Sequence, residues 1–181
     1  MKIKSIAYIL FFSCVLSTSA QSDTLFNSLY PVTRSNNFAE SSAAFILLSK
    51  IELARSEIET LESDYESEDR KLFKMFFEYT LAIRKQEYDY IRKFIQSCKG
   101  NIKFLNENPT KIISITNPYY TYLKSLAYND DEALSVIFEL YQTADASISS
   151  SIENDLIEIK ELNNNRFEAI KNKYDDVEIK R

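Results

Sequence analysis

Gly100 is the only glycine among the 181 residues of this chain. Glycine supplies the backbone conformations that phosphate-binding loops and tight β-hairpin turns require. The sequence therefore contains no nucleotide-binding loop of the GxGxxG or GxxxxGK type. The same shortage argues against doubly wound nucleotide-binding folds and hairpin-rich β-barrels. The chain is better suited to a fold built from helices.

Apolar side chains recur every three to four residues from residue 36 onward, which is the spacing of one helix face. Hydrophobic residues make up 45% of the chain, enough to form a packed core. We predict an all-α fold, an irregular bundle of about six or seven helices. The alternative is a short α-solenoid-like stack of helical hairpins, because an asparagine-led turn precedes an aromatic helix both at 117–124 and at 163–171. Residues 36–181 would form a single helical domain, with a division into two parts near residues 106–117.

Three apolar patterns predict the first helices. The first places residues 44–65 on one face of a helix that Asn36 or Asn37 caps. The second, over about 67–84, is apolar almost all round and predicts a buried central helix. The third follows Tyr88 to Leu105. The sequence leaves open whether the chain is continuous at 84–87 and at Gly100.

Shorter helices are predicted after the linker at 106–117. Asn117-Pro118 has the form of a cap followed by a proline in the first turn, and an aspartate of Asn129-Asp130-Asp131 caps the next helix. Asn163-Asn164-Asn165 separates the last two predicted helices. One predicted stripe places five side chains on a buried face: Ile148, Ile152, Leu156, Ile159 and Leu162.

The first 20 residues have the pattern of a secretory signal peptide. Lys2 and Lys4 precede an apolar run that ends at Leu16, which is too short to span a bilayer. Small residues then lead to Ala20, and we expect cleavage between Ala20 and Gln21. The mature protein would be exported to the periplasm or secreted, in a bacterial cell, with no transmembrane segment. We expect an extended N-terminal segment over residues 21–35.

The chain contains two cysteines, Cys14 and Cys98, and each leads to a different prediction. Ser13-Cys14 resembles the lipid-attachment site of bacterial lipoproteins, but Phe12 stands where that motif has a small residue, so we favour cleavage over a lipid anchor at Cys14. Cleavage leaves Cys98 without an internal disulfide partner. Its spacing from Ile95 and Ile102 places Cys98 on an apolar helix face, where it is expected to be buried; a reactive or dimer-forming thiol is the alternative.

The net charge of the chain is negative. Removal of residues 1–20 takes away two lysines and no acid, which moves the formal charge from −5 to −7. A nucleic-acid backbone needs a basic face, so the charge excludes nucleic acid as a partner. An acidic protein is attracted to a basic protein partner.

The sequence offers few catalytic groups, because it contains no histidine. Histidine-based triads, di-iron sites and haem attachment are excluded, and we expect no cofactor. Asp64 to Asp69 holds four acids, but the glycine that a calcium loop needs is absent. Glu40-Ser41 resembles the start of the lytic transglycosylase signature, although the glycine-rich remainder of that signature is missing. A carboxylate-dependent envelope hydrolase therefore remains an alternative function.

Tyrosines are the least ordinary feature of the predicted helices. Four of them cluster in a short segment: Tyr119, Tyr120, Tyr122 and Tyr128. Adjacent helical residues point about 100° apart, so we expect either Tyr119 or Tyr120 to be exposed. Exposed tyrosine is a favoured anchor in protein interfaces. We predict an exported, non-catalytic protein that binds a partner in the envelope through these tyrosines, such as an acidic inhibitor or immunity-type protein. A small-molecule binder with an interhelical pocket lined by phenylalanines is a further alternative. Tyr88 and Tyr90 form a second tyrosine pair.

Overall fold

The computed structural model describes residues 24–102, residue 105 and residues 118–174. Within these ranges the chain forms nine helices and no strand, so the predicted all-α class is confirmed and the predicted count of six or seven is too low. The helices are α1 (residues 24–33), α2 (Phe38–Leu48), α3 (Arg55–Ser67), α4 (Lys71–Lys85), α5 (Tyr88–Gly100), α6 (Pro118–Ala127), α7 (Asp131–Thr143), α8 (Ala146–Leu162) and α9 (Asn164–Lys171).

The chain divides into two compact units, the first ending at Glu87 and the second beginning at Tyr88. We call them unit 1 and unit 2. The predicted division near residues 106–117 falls outside the described residues, as do the cleavage site at Ala20 and Gln21 and the cysteine at position 14.

Unit 1 is built around α4, which confirms the predicted central helix. Nine consecutive or near-consecutive residues of α4 are buried because α2 and α3 both pack against this helix. The ring of Phe76 is fully buried and lies 5.8 Å from the rings of both Phe45 and Phe73. A core of interlocking aromatic rings therefore holds unit 1 together.

Two expectations for residues 21–65 are wrong. Residues 24–33, within the segment predicted to be extended, form helix α1, because Phe26 and Thr33 are buried on one face of it. The predicted single helix over 36–65 is interrupted between Leu48 and Arg55. Asn37 caps α2 as predicted, accepting a hydrogen bond from the Ala39 amide.

The break between α2 and α3 is stabilised by contacts from both sides. Arg84 Nη1 of α4 donates to the Ile51 carbonyl at 2.5 Å. The Glu57 carboxylate accepts a hydrogen bond from the Ala54 amide at 2.6 Å, at the start of α3. These two contacts stabilise a loop between α2 and α3, although the apolar spacing typical of a helix continues through it.

The two junctions that the sequence leaves open are both helix ends. Gln86 follows α4 with φ of 54°, the left-handed conformation that terminates a helix. Helix α5 then begins at Tyr88 and has Gly100 as its last residue.

Unit 2 packs α7 against α5, α6, α8 and α9. Helix α6 begins at Pro118 as predicted, and Asp130 and Asn163 cap α7 and α9 through their side chains. Cys98 of α5 is buried, which confirms its predicted placement on an apolar face. None of the helices within the described ranges is both long and apolar enough to cross a bilayer.

Candidate functional site

The tyrosines of α6 do not form the exposed site that the sequence predicts. Tyr119 is 1% exposed and Tyr120 is 3% exposed, so the expectation that one of these two rings faces solvent is wrong. Helix α6 packs against α7, and the hydroxyl of Tyr120 bonds to α8, so adjacent positions can both be buried. Tyr122 is half-buried, with its ring centroid 5.4 Å from that of Phe94.

A polar network joins these tyrosines to α8. Asp155 accepts hydrogen bonds from Tyr120 Oη at 2.7 Å and from Lys124 Nζ at 2.6 Å. Burial raises the pKa of Tyr120, and the bond to Asp155 raises it further, so this hydroxyl remains a donor. Burial alone would lower the pKa of Lys124, but its hydrogen bonds to Asp155 and Glu158 outweigh that effect and raise it.

Tyr128, which follows α6, belongs to the same network. Its hydroxyl donates to Glu158 at 2.6 Å, and Lys124 donates to the same carboxylate at 2.7 Å. These two bonds lower the pKa of Glu158. Tyr120 and Tyr128 therefore use their hydroxyls to hold α6 against α8.

Tyr88 is the tyrosine that unit 2 exposes most strongly among those described. It is the first residue of α5, and 68% of its surface is accessible. The guanidinium of Arg92 lies 5.7 Å from its ring centroid, one turn further along the helix. The sequence marked Tyr88 only as one of an ambiguous pair, because helical spacing alone does not show which flank of α5 is covered.

Leu162 is the most exposed large apolar residue of the described chain, at 69%. The periodicity of α8 predicts it on the buried stripe, and Ile152, Leu156 and Ile159 of that stripe are buried. Leu162 differs because it is the last residue of α8, and the chain turns at Asn163 into α9. Tyr88 and Leu162 are thus both located at helix ends.

A chain of ion pairs shows that these ends lie on the same side of unit 2. Arg92 pairs with Asp130 at 3.0 Å and with Glu132, at the start of α7. The adjacent Asp131 pairs with Arg166 Nε at 2.6 Å. Arg166 is in the first turn of α9, four residues after Leu162.

Arg166 also connects this side of unit 2 to α6. Its Nη1 donates to the carbonyls of Ala127 and Tyr128, both at 3.0 Å. These carbonyls belong to the C-terminal end of α6, where helical carbonyls lack partners within the helix and a cation is favourable. One guanidinium therefore joins the ends of α6, α7 and α9.

We define the end surface of unit 2 as residues 88–92, 128–132 and 158–166. These residues include six acids and three bases, a net charge of −3. All three bases form ion pairs with acids of the chain itself: Arg92, Lys160 and Arg166. The end surface therefore combines two exposed apolar side chains with an excess of negative charge.

Unit 1 contains a polar cleft of about 400 Å³. Asp64 in this cleft accepts hydrogen bonds from Tyr30 Oη at 2.5 Å and from Arg34 Nη2 at 2.6 Å. Glu68 accepts two hydrogen bonds from the Arg70 guanidinium and one from the Arg70 amide, which lower the pKa of the Glu68 carboxyl. Each guanidinium already has a carboxylate partner. The lining is Thr33, Arg34, Asp64, Ser67, Glu68, Arg70 and Phe77, which differs from the phenylalanine-lined pocket that the sequence suggests.

The acids singled out in the sequence are dispersed in the structure. Glu40 is exposed in the first turn of α2 and accepts a hydrogen bond from Ser35 at 2.9 Å. Asp64 and Glu68 are engaged by arginines, while Glu66 and Asp69 face solvent. Among the residues that the structure describes, no three potential metal ligands come together.

Comparison of this chain with protein-family models, with curated proteins and with solved structures finds no match in any of the three. What the protein does is therefore inferred from the exposed side chains and charges of the two units.

Proposed function

We propose that this protein is exported and, without catalysing a reaction, binds a basic protein partner in the cell envelope. An inhibitor or immunity-type role fits such a protein. Two features support this proposal: the signal-like N-terminus and the negative surface charge of the folded part. It retains the predicted kind of partner and replaces the predicted contact residues, because the tyrosines of α6 are used for internal packing.

The observation that carries the proposal is the uncompensated negative charge of the described residues. They include 22 acids and 16 bases. At least nine of those bases already pair with acids of the same chain. The surplus acids that face solvent include Glu66, Asp69, Asp89 and Glu161. A potential of one sign steers oppositely charged proteins toward the surface and raises the association rate.

Export is tested by N-terminal sequencing of the protein recovered from the envelope or the medium of expressing cells. We expect a first residue of Gln21. A mature chain that retains Met1, or one that begins at a lipid-modified Cys14, would contradict the export step as proposed.

Partner binding is tested by chemical crosslinking of the full-length tagged protein in intact cells, followed by mass spectrometry. The crosslinked protein is then purified and titrated against the wild type by calorimetry. We expect a partner with a basic surface and an affinity that falls about tenfold or more between low and high salt, because screening weakens exposed charge pairs. Repeated failure to recover a partner, or a salt-independent affinity, would contradict the proposal.

A second candidate function, binding of a small polar molecule, is favoured by the cleft of unit 1. Its volume of about 400 Å³ lies within the range of roughly 300–1,000 Å³ typical of ligand pockets. Its paired guanidinium and carboxylate groups suit a zwitterion better than an ion of one sign. A thermal-shift screen with free amino acids tests this candidate, and no stabilisation at millimolar concentrations would exclude these zwitterions as ligands.

A further inference from the structure

We infer that the end surface of unit 2 is the docking site for the basic partner, and that the partner presents an amphipathic basic helix to it. The inference rests on the proposed function and gives it a location. Tyr88 and Leu162 are 68% and 69% exposed, whereas the next most exposed large apolar residue described, Leu47 of unit 1, is 47% exposed. We take their exposure at the same end of unit 2 as the mark of an interaction surface.

The side chains at this surface are of the kind that carries binding energy. Tyrosine and arginine are enriched among the residues that dominate protein interfaces. Tyr88 stands beside Arg92, and the guanidinium is fixed by Asp130 and Glu132. The guanidinium of Arg92, held by these two acids, lies over one face of the Tyr88 ring. The ring remains largely exposed and accessible to a partner.

Charge complementarity determines the partner's chemistry. The three bases of the end surface are neutralised by acids of the chain, and the acids in excess include Asp89 and Glu161. Glu161 is adjacent to Leu162, and both are exposed. A partner that covers Leu162 must therefore place cations near Glu161. A helix with leucine on one face and lysine or arginine on its flanks satisfies both requirements.

The end surface is also preorganised. Asp130 caps α7 by accepting bonds from the Glu132 and Ala133 amides at 2.9 Å each, and Arg166 clamps the end of α6. Tyr88 begins α5, whose Arg92 pairs with Asp130 and Glu132, and Leu162 ends α8, four residues before Arg166. Less conformational entropy is lost on binding when the contact groups are already held in place.

The test uses the full chain and three synthetic 18-residue peptides. The first is a helical peptide of leucine and lysine with one apolar face. The second has glutamate in place of every lysine, and the third has serine in place of every leucine. Binding is measured by fluorescence anisotropy for the wild type and for Tyr88→Ala, Leu162→Ala and Glu161→Lys, with Leu47→Ala and Glu66→Lys of unit 1 as matched controls.

We expect the leucine–lysine peptide to bind at least tenfold more tightly than either comparison peptide. Tyr88→Ala, Leu162→Ala and Glu161→Lys should each weaken its binding by about fivefold or more, while Leu47→Ala and Glu66→Lys change it less than twofold. Circular dichroism melting of each variant verifies the fold. Equal binding of all three peptides, or loss of binding only in Glu66→Lys, would overturn the inference.

The crosslinked partner separates this inference from the proposed function. If a basic partner is recovered and its affinity is unchanged by Leu162→Ala and Glu161→Lys, the end surface is not its docking site and the proposed function stands. If no partner is recovered, the proposed function itself fails.

Discussion

The two units achieve their stability differently. In unit 1, α4 provides Phe73, Phe76 and Phe77, whose rings meet Phe38 and Phe45 with centroids 4.6 to 6.5 Å apart. In unit 2, polar side chains connect the ends of different helices. All the described ion pairs of unit 2 join residues at least eight positions apart. Three of the five in unit 1 join residues only two or four positions apart.

This contrast explains why unit 2 presents the better docking surface. In unit 1 most aromatic side chains are buried in the core, and most ion pairs join residues that are close in the sequence. In unit 2 the cross-helix ion pairs hold Arg92 of α5 and Arg166 of α9, and the exposed Tyr88 and Leu162 each lie four residues from one of these arginines. Three substitutions and one pH dependence test this contrast between the two units.

Phe76→Ala should have the largest effect. Its ring is fully buried and contacts three other phenylalanine rings. Removing such a ring leaves a cavity and costs about 3–5 kcal/mol of unfolding free energy. Hydrogen exchange measured by NMR should show the loss in amides of unit 1. Leu47→Ala, a control at a half-exposed position, should change stability by about 0.5 kcal/mol or less. A loss below about 1 kcal/mol for Phe76→Ala would show that the aromatic cluster does not hold unit 1.

Arg166→Ala should have the next largest effect and act on unit 2. It removes two hydrogen bonds to the end of α6 and the ion pair with Asp131. Hydrogen bonds to charged groups contribute about 1.5–3 kcal/mol, so we expect urea denaturation to show a loss of about 2 kcal/mol of unfolding free energy. The matched control is Arg55→Ala, whose guanidinium is 94% exposed in its pair with Glu59. Its effect should be about 0–0.5 kcal/mol, and equal losses for both arginines would contradict the role assigned to Arg166.

Gln86→Gly should stabilise the end of α4. Gln86 adopts a φ of 54°, a conformation that costs a residue with a Cβ about 1 kcal/mol and costs glycine little. Gln86→Ala retains the Cβ and serves as the control, with no gain expected. A melting temperature that rises in the glycine variant alone would support this account. Destabilisation by glycine would contradict it.

The smallest effect is a pH dependence in unit 2. Hydrogen bonds from Lys124 and Tyr128 lower the pKa of Glu158 in the folded state. A lowered pKa stabilises the fold above the ordinary glutamate value of about 4.3, and this stability is lost as the pH falls through the folded-state pKa. Glu158→Gln should therefore have a lower melting temperature than the wild type at pH 7. The gap should shrink toward pH 3.

The control for this pH dependence is Glu161→Gln, because Glu161 takes part in none of the described ion pairs. Its melting temperature should follow that of the wild type from pH 7 to pH 3. A gap between wild type and Glu158→Gln that stays constant across this range would show that ionisation of Glu158 does not strengthen the network.

Local patterns in the sequence predict a large part of this fold. The all-α class follows from the three-to-four spacing, and the buried α4 follows from apolar residues on all its faces. The caps at Asn37 and Asp130 are predictable because a cap bonds to amides within three residues of itself. These features depend on neighbours in the chain.

Features that depend on contacts between residues far apart in the sequence could not be predicted from local patterns. The loop between Leu48 and Arg55 keeps helical apolar spacing, and a hydrogen bond from Arg84, 33 residues away, supports it as a loop. The burial of Tyr120 depends on Asp155, 35 positions further along the chain. The end surface combines segments from three parts of the chain, and no local pattern relates Tyr88 to Leu162.

The exposure of individual tyrosines tests the central claim most directly, since docking is assigned to Tyr88 and internal packing to Tyr119 and Tyr120. The full chain is treated briefly with tetranitromethane, and nitration at each tyrosine is followed by mass spectrometry. We expect rapid nitration of Tyr88 and protection of Tyr119 and Tyr120 until the protein is unfolded in urea. Nitration of Tyr119 or Tyr120 as fast as that of Tyr88 in the folded protein would contradict the account.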